Sequence, residues 1–595
     1  MRLEIDGKTA DLSNNIIAIT RKVIDLGNLA LRNIDITNRL KLPKTNANQE
    51  IFESADRVET NGDGFDKLYK AKIIDQFFTF NGLGFLNETN DYYSFQLSES
   101  SKEVLSNLKE KINMLPFDQY DFTFNDTSYD NLKLLDSNNV WVWPIIAMHE
   151  EKTEDKTRFT SGNNGLLYSR PCFSFSKILI DAIEAQGWSI ELDTDIIERL
   201  GISSNASKFF VTSYQKTLDS TYTLGSAQNL TGLNTNDFEN NVTTASTTIR
   251  TGATETVYRL RGNVSTEKDA TIKFISTSVG SGKEQTKEFK VKSTQTYIDF
   301  KTSAFKPSSP DTDVSVEITI EGDSGSFVFE DTLLYTIIEE QKLGDLSTNP
   351  LIGYRIKAFD NMPDKKQIDI LRDAMKITNS IIEPDSFNKN IKLRTLNGLS
   401  KLNAVDWSEK FDADNFSQTN RISGYAKTNN LVYDNDDTVN SDLGEESFDI
   451  NNQALQDLAD VLKLEWGASN DVAIENNEIL PVASFEIYND TERENEINDR
   501  LFYIYDDQTA ATYTLGRFLE VDWRTLKSTY YENWFKSFER LRIIDGDCDL
   551  NQLEVIGHDF LKLVYIDHFK STFFVLEISD YIPGKKTSIE LFKFM

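Results

Sequence analysis

Tyr93-Ser94-Phe95-Gln96-Leu97 alternates large apolar and polar side chains, which places Tyr93, Phe95 and Leu97 on one face of an extended chain. That rhythm is the mark of a half-buried strand. It recurs in Leu3-Glu4-Ile5, Ile17-Ala18-Ile19-Thr20 and Ala71-Lys72-Ile73-Ile74-Asp75, and the turn residues Asn61-Gly62-Asp63-Gly64 interrupt the series. The segment from Leu3 to about Leu97 therefore reads as a small barrel or sandwich, followed by a short amphipathic helix over Ser101 to Asn113. Far down the chain, aromatic and β-branched alternation returns from Phe485 onward, as in Phe573-Phe574-Val575-Leu576-Glu577-Ile578.

Between these ends the pattern changes. Phe175, Ile178, Leu179, Ala182 and Ile183 recur at helical spacing after Ser174, and Gly187 stands where a left-handed C-terminal cap is expected. Trp188-Ser189-Ile190-Glu191-Leu192 then alternates like a strand. A second helix is expected after Asn361-Met362-Pro363, with Ile368, Leu371, Ala374 and Met375 on one face and Asp364 as its cap. From Thr217 to Glu340 the chain turns to Thr, Ser, Gly and Asn with near-regular strands, the signature of an inserted β-sandwich.

These readings give a mainly β, multidomain chain with α+β modules. Tube-like β-barrel units stand at 1–160 and 421–595, a helix–strand module at 161–216, a jelly-roll-like sandwich at 217–340 and a helix-containing module at 341–420. The chain has 595 residues, enough for several cores without disulfides or metals. No apolar run reaches the length of a membrane-spanning helix, mean hydropathy is −0.44, and the start lacks a secretory pattern, so folding in a cytoplasm is expected. Cys172 and Cys548 are far apart and are expected as buried thiols.

The chain carries 63 basic and 95 acidic residues, a net charge of −32. Such a surface repels phosphate backbones unless a local basic patch stands apart, which argues against sequence-read nucleic acid; ordinary solubility accounts for it on composition alone, and it would also suit a channel wall along which DNA slides. Chemistry has little foothold. His149-Glu150-Glu151 lacks the second histidine of a zinc-protease helix, and His558 and His568 flank a strand or loop. Gly82-Leu83-Gly84 lacks the lysine and third glycine of a phosphate loop and is expected as a turn. Asp434-Asn435-Asp436-Asp437 with Asp442 and Glu445 matches part of a calcium loop, yet Val439 occupies the position that wants glycine. No G-x-S-x-G elbow is present. No catalytic, cofactor-binding or metal-binding residue is assigned, and the chain is read as a non-enzyme. In the sandwich, Tyr222, Tyr258, Tyr297 and Tyr335 are candidate stacking platforms for a host surface glycan, against the alternative that they pack at strand ends.

A set of ordered blocks then carries a resemblance. Asp25-Leu26-Gly27 through Arg32 to Asn38-Arg39-Leu40-Lys41-Leu42-Pro43-Lys44-Thr45 and Asn48 forms the first. The others are the helix ending at Gly187-Trp188, the run from Asn361 through Asp369, Leu371 and Asn379, Asp406-Trp407-Ser408, Tyr530-Tyr531 to Trp534, Leu550 to Leu553, Val564-Tyr565-Ile566 and Tyr581-Ile582-Pro583-Gly584-Lys585. Together they resemble large tail proteins of phages and prophages of Bacteroidota, and the arrangement of units is similar to baseplate hub proteins. The resemblance implies a tail-tip structural subunit in the virion, made in the host cytoplasm. It further implies a homo-oligomer, with a trimer favoured, that adapts a sixfold tube to a threefold tip for non-specific DNA passage. Its partners would be tube, distal tail, tape-measure and fibre proteins. The alternative is a receptor-binding tail protein that uses the sandwich. The shared blocks are packing and turn patterns, so the resemblance implies no site residues.

Overall fold

The computed structural model describes residues 2–12, 19–22, 35–55, 64–65, 67–74, 79–99, 104–105, 107–115, 117–124, 136, 138–149, 171–204, 209–212, 215–224, 228–230, 257–278, 283–303, 314–339, 354–385, 388–420, 424–435, 443–472, 481–489, 492–493, 498–506 and 514–595. The Asp25-Leu26-Gly27 block and most of the Asn61–Gly64 turn lie outside them.

The alternating segments at the two ends of the chain meet in one 13-stranded sheet. Its order runs Lys8–Ala10, Arg2–Ile5, Tyr69–Ile74, Thr79–Thr89, Tyr92–Glu99, Asp35–Pro43, Ile19–Lys22, and then Ser571–Tyr581, Thr587–Phe594, Ile543–Cys548 and Phe411–Thr419. Every neighbouring pair along this path is antiparallel. Val564–Ile566 adds to Ser571–Tyr581, and Val405–Asp406 joins it in parallel. Several of the sheets are curled half-barrels, and the chain is mainly β and multidomain, as the alternation predicts. The two β-rich ends are each a half-sheet whose edge strand completes the other's ladder.

The first half-sheet has its own core of Leu3, Ile5, Leu40, Leu42, Tyr69, Ile73, Tyr93, Phe95 and Leu97, closed by Ile51 and Phe52 at the end of the helix Asn46–Ile51. The quoted stretch thus buries the three residues its period selects. Gly82-Leu83-Gly84 is not the expected turn but lies inside the strand Thr79–Thr89. The Phe95 ring lies over Gly84 so closely that a Cβ there would come within 2.1 Å of it, so glycine is required by packing.

A large central core binds the second half-sheet to the helical modules. The helix Phe175–Glu184 forms as predicted, with the Ser174 hydroxyl accepting from the Lys177 N–H and Gly187 at φ +73. The strand Ser189–Leu192 runs parallel to Asn390–Thr395, which pairs with Ser380–Asp385 after the second helix, Gln367–Thr378. The two helical modules therefore form one layered unit, although the sandwich separates them in sequence. Asp364 does not cap the second helix. Lys366 occupies that position without a side-chain bond, and the Asp364 carboxylate pairs with Lys111 instead. The stretch expected as a helix over Ser101 to Asn113 contains, among its described residues, a helical turn and the start of a 3₁₀ turn, Ile112–Met114.

Strand pairing groups the chain differently from linear segments. Phe411–Thr419 completes the end sheet, while Leu501–Asp506 and Thr514–Arg517 pair onward to Leu200–Ile202, Cys172–Ser174 and Trp141–Val142 in the body. The sandwich has two sheets. One is Gln215–Leu224, Gly325–Glu339, Val257–Thr266 and Tyr297–Ser303, with the short strand Phe210–Val211 added to the end of Gly325–Glu339; the other is Gln228–Leu230, Val314–Gly322, Ala270–Ser278 and Glu284–Val291. Ile272, Phe274, Ile298, Ile318, Ile320, Phe327 and Phe329 fill its separate core.

Candidate functional site

The seam between the half-sheets is built from Ile19 opposite Tyr581, Arg21 opposite Ile578 and Lys22 opposite Glu577, with a register shift that marks a bulge. Lys22 Nζ lies 3.3 Å from the Glu577 carboxylate, and the Thr20 hydroxyl accepts from the Asp580 N–H at 3.0 Å. Arg21 turns inward. Its guanidinium donates to the carbonyls of Val555, Ile556 and His558 at 2.6, 2.9 and 3.2 Å, which are the groups a short helix, Gln552–Ile556, leaves unsatisfied at its C-terminal end. It also lies over the Phe560 ring at 4.8 Å. One cation of the N-terminal half thereby fastens a helix terminus of the C-terminal half.

His558 lies beside this contact, against Trp407 and Phe560, with ring centroids 5.3 and 4.9 Å away. Burial, reinforced by the Arg21 charge, pushes its imidazole down to about 4. Neutral, and set beside a fixed cation and two aromatic rings, this histidine packs as an apolar ring. His568 stands edge-on to Phe416 and Phe569. The side chain of His149 lies outside the described residues. Cys172 and Cys548 are both buried, and burial pushes the Cys548 thiol up to about 12. Of the acidic loop from Asp434 to Glu445, residues 436–442 lie outside the described residues, and Asp434 is held by Lys463 at 2.7 Å. Among the described residues no cluster of His, Cys, Asp or Glu is placed to hold a metal.

Strand period decides where the four tyrosines of the sandwich go. Tyr258 and Leu260 point between the sheets, and Arg259 and Arg261 point outward, toward the body. Tyr258 is 3% exposed and packs against Phe274 at 5.3 Å; Tyr222 is half-buried against Phe329 at 5.7 Å. Tyr335 has no exposed surface, and its hydroxyl donates to Asp360 at 3.2 Å. The Tyr297 hydroxyl accepts from the Arg261 Nε. For Tyr258 and Tyr335 the expected platform is corrected: both rings are covered by protein, one by the sandwich core and the other by the body. Sequence reasoning missed Arg21, Arg259 and Arg261. The available signal was a cation embedded in an otherwise apolar alternating strand.

A mixed-charge groove of about 990 Å³ lies between the strand Glu446–Asp449 and the helix Glu532–Glu539. Its cations are largely engaged: Lys527 bonds the Ser447 carbonyl at 2.5 Å, and Lys536 pairs with Glu532 at 2.7 Å.

No family model matches the chain, and no curated protein does. Among solved structures, the chain is similar to the 43 kDa tail protein of prophage MuSo2 from Shewanella oneidensis. The identity is 7% and the TM-score 0.34, over 99% of this chain and 97% of that one.

Proposed function

We propose that this chain is a structural subunit of a bacteriophage tail tip, acting as the hub that closes or extends the tail tube. The observation that supports it most is the single sheet shared by both ends of the chain, with one half-sheet from residues 2–99 and one from 405–594. A subunit that contributes two curled half-sheets side by side is suited to a ring in which three copies imitate six. Among the described residues the sheet has edges at Lys8–Ala10, at Phe411–Thr419 and, on its side branch, at the two-residue strand Val405–Asp406. The second is nine residues long and exposed along most of its length, including Phe416 at 40%. A long exposed edge is a template for another strand, and a second copy of the chain is the occupant that closes a ring. The net charge of −32 fits a wall that DNA passes without adhering.

The chemistry of the interior agrees with a structural part. Two of the buried ion pairs act as scaffolding: Asp373 with Lys376 at 2.8 Å, and Lys357 with Asp121 at 2.7 Å. Cryo-electron microscopy of the particle tests the proposal. Density for this chain on the tail axis, in a threefold ring around the channel, is expected. Density away from the axis, or a purified chain that stays monomeric under all assembly conditions, would overturn it.

A further inference from the structure

We infer that the β-sandwich is a latched arm, carried on a narrow two-strand stem and held in one orientation by a charge-balanced cluster centred on Arg259 and Asp360. Its described part is Phe210–Thr212 on the entry side and Arg355–Ile356 on the exit side, while residues 340–353 lie outside the described residues. Thr212 and Arg355 exchange backbone hydrogen bonds at 2.8 and 2.9 Å, and Asn361 clasps Phe210 through both its N–H at 2.7 Å and its carbonyl at 2.8 Å. Phe210–Val211 also pairs with Ile338 and Glu339 at the end of the sandwich strand, so the described stem is a short ladder, and a linker this narrow resists bending weakly. Something else must fix the angle.

The outward face of the sandwich sheet supplies it. Arg259 forms a bidentate pair with Asp299 at 2.6 and 2.7 Å inside the sandwich, then reaches across to Asp360 of the body at 3.0 Å. The planar guanidinium suits this double role, because its fork leaves a further N–H for the second carboxylate. Tyr335 donates to the same Asp360. Arg259 and Arg261 both lie over the Phe359 ring, at 4.2 and 3.4 Å, and Lys357 lies over the Tyr335 ring at 4.6 Å while pairing with Asp121. Three cations and three carboxylates thus meet at one joint. Asp360 itself is buried, and its Oδ2 has no hydrogen-bond partner among the described residues.

This composition makes a latch rather than a weld. A buried ion cluster contributes little net stability, because opening returns its charges to water, but it penalises any closed orientation that leaves a carboxylate unpaired. The arm therefore has one favoured closed position and a released state of modest cost. The inference is independent of the tail-tip reading.

Distance measurement between spin labels on the full chain tests it. Lys287→Cys on the sandwich and Lys401→Cys on the body provide exposed attachment points, while the native thiols Cys172 and Cys548 are buried. The otherwise unmodified chain is expected to give a single narrow distance. Asp360→Asn and Phe359→Ala, both on the body side, are expected to lose it and give a broad distribution. Lys273→Met, which removes ion pairs within the sandwich at 2.7 and 3.4 Å, is expected to keep it. A narrow distance that survives both body-side substitutions overturns the latch. So does a broad distance before any latch residue is changed, or a broadening that occurs only with loss of amide protection in Ala270–Ser278, which would mean an unfolded sandwich.

Discussion

Acid should loosen the seam between the two half-sheets through one residue, His558. Its imidazole titrates near 4 in the folded chain against 6.5 when unperturbed. The sign follows from which state binds the proton. At pH 7 both folded and unfolded chains hold His558 neutral, so its contribution is intact. As pH falls below 6.5 the unfolded chain takes up a proton that the folded chain refuses, and stability is lost until the folded group also titrates near 4. The full gap corresponds to roughly 3 kcal/mol, of which about 2 kcal/mol is gone by pH 5. The ninety-five carboxylates also respond to acid, so the informative quantity is a difference. His558→Gln keeps the site neutral at every pH. Amide exchange of Ile19–Lys22 and Ser571–Tyr581 should show the original chain losing protection relative to this variant by on the order of 20-fold between pH 7 and pH 5. If the two exchange in parallel over that range, His558 is not excluded from protonation in the fold, and the reasoning about its burial beside Arg21 fails.

Other substitutions probe the remaining packing. Arg21→Met leaves three carbonyls at a helix end without their donor, and chemical denaturation should report a loss of about 2–4 kcal/mol in the C-terminal half-sheet. Gly84→Val drives a side chain into the Phe95 ring and should destabilise by about 1–3 kcal/mol or more, with partial recovery when Phe95→Ala is added; thermal melting of the pair of variants measures it. Asp373→Leu strands the buried Lys376 ammonium at a cost of about 3–5 kcal/mol, whereas Asp373→Leu with Lys376→Met should cost less, a comparison read from unfolding midpoints. Cys548 should react with thiol reagents far more slowly in the folded chain than in denaturant at pH 8, since its thiol is held near 12.

The strand rhythm around Phe95 and the helix after Ser174 were legible because each is a local pattern. One face of the strand is buried, and a serine, an apolar stripe and a glycine mark out the helix. The inserted sandwich was legible for the same reason. Partnership was not. Nothing in Ile19-Thr20-Arg21-Lys22 announces that its neighbour is the Glu577-to-Tyr581 end of the strand Ser571–Tyr581, since periodicity records which face is buried and is silent on what lies alongside. Gly82-Leu83-Gly84 misled because glycine marks both turns and close approaches. The burial of Tyr335 was not legible either, because the docking of the sandwich against Asp360 and Lys357 covers its face. Asp364 had the right chemistry for a cap, but Lys111 engages it first.

The seam also dictates an order of events during synthesis. Thr20 and Asp580 are 560 residues apart in the chain, so the ladder between them closes only when the last strands leave the ribosome. At usual elongation rates that delay is roughly half a minute to two minutes, during which Ile19–Lys22 is an open strand edge. The N-terminal half-sheet has a core of its own and can wait folded, whereas the C-terminal strands share theirs with the body and cannot. Chains truncated before Ser571 should thus carry a ready-made site for pairing with one another, whereas a chain that includes Ser571–Tyr581 covers that edge with its own strand.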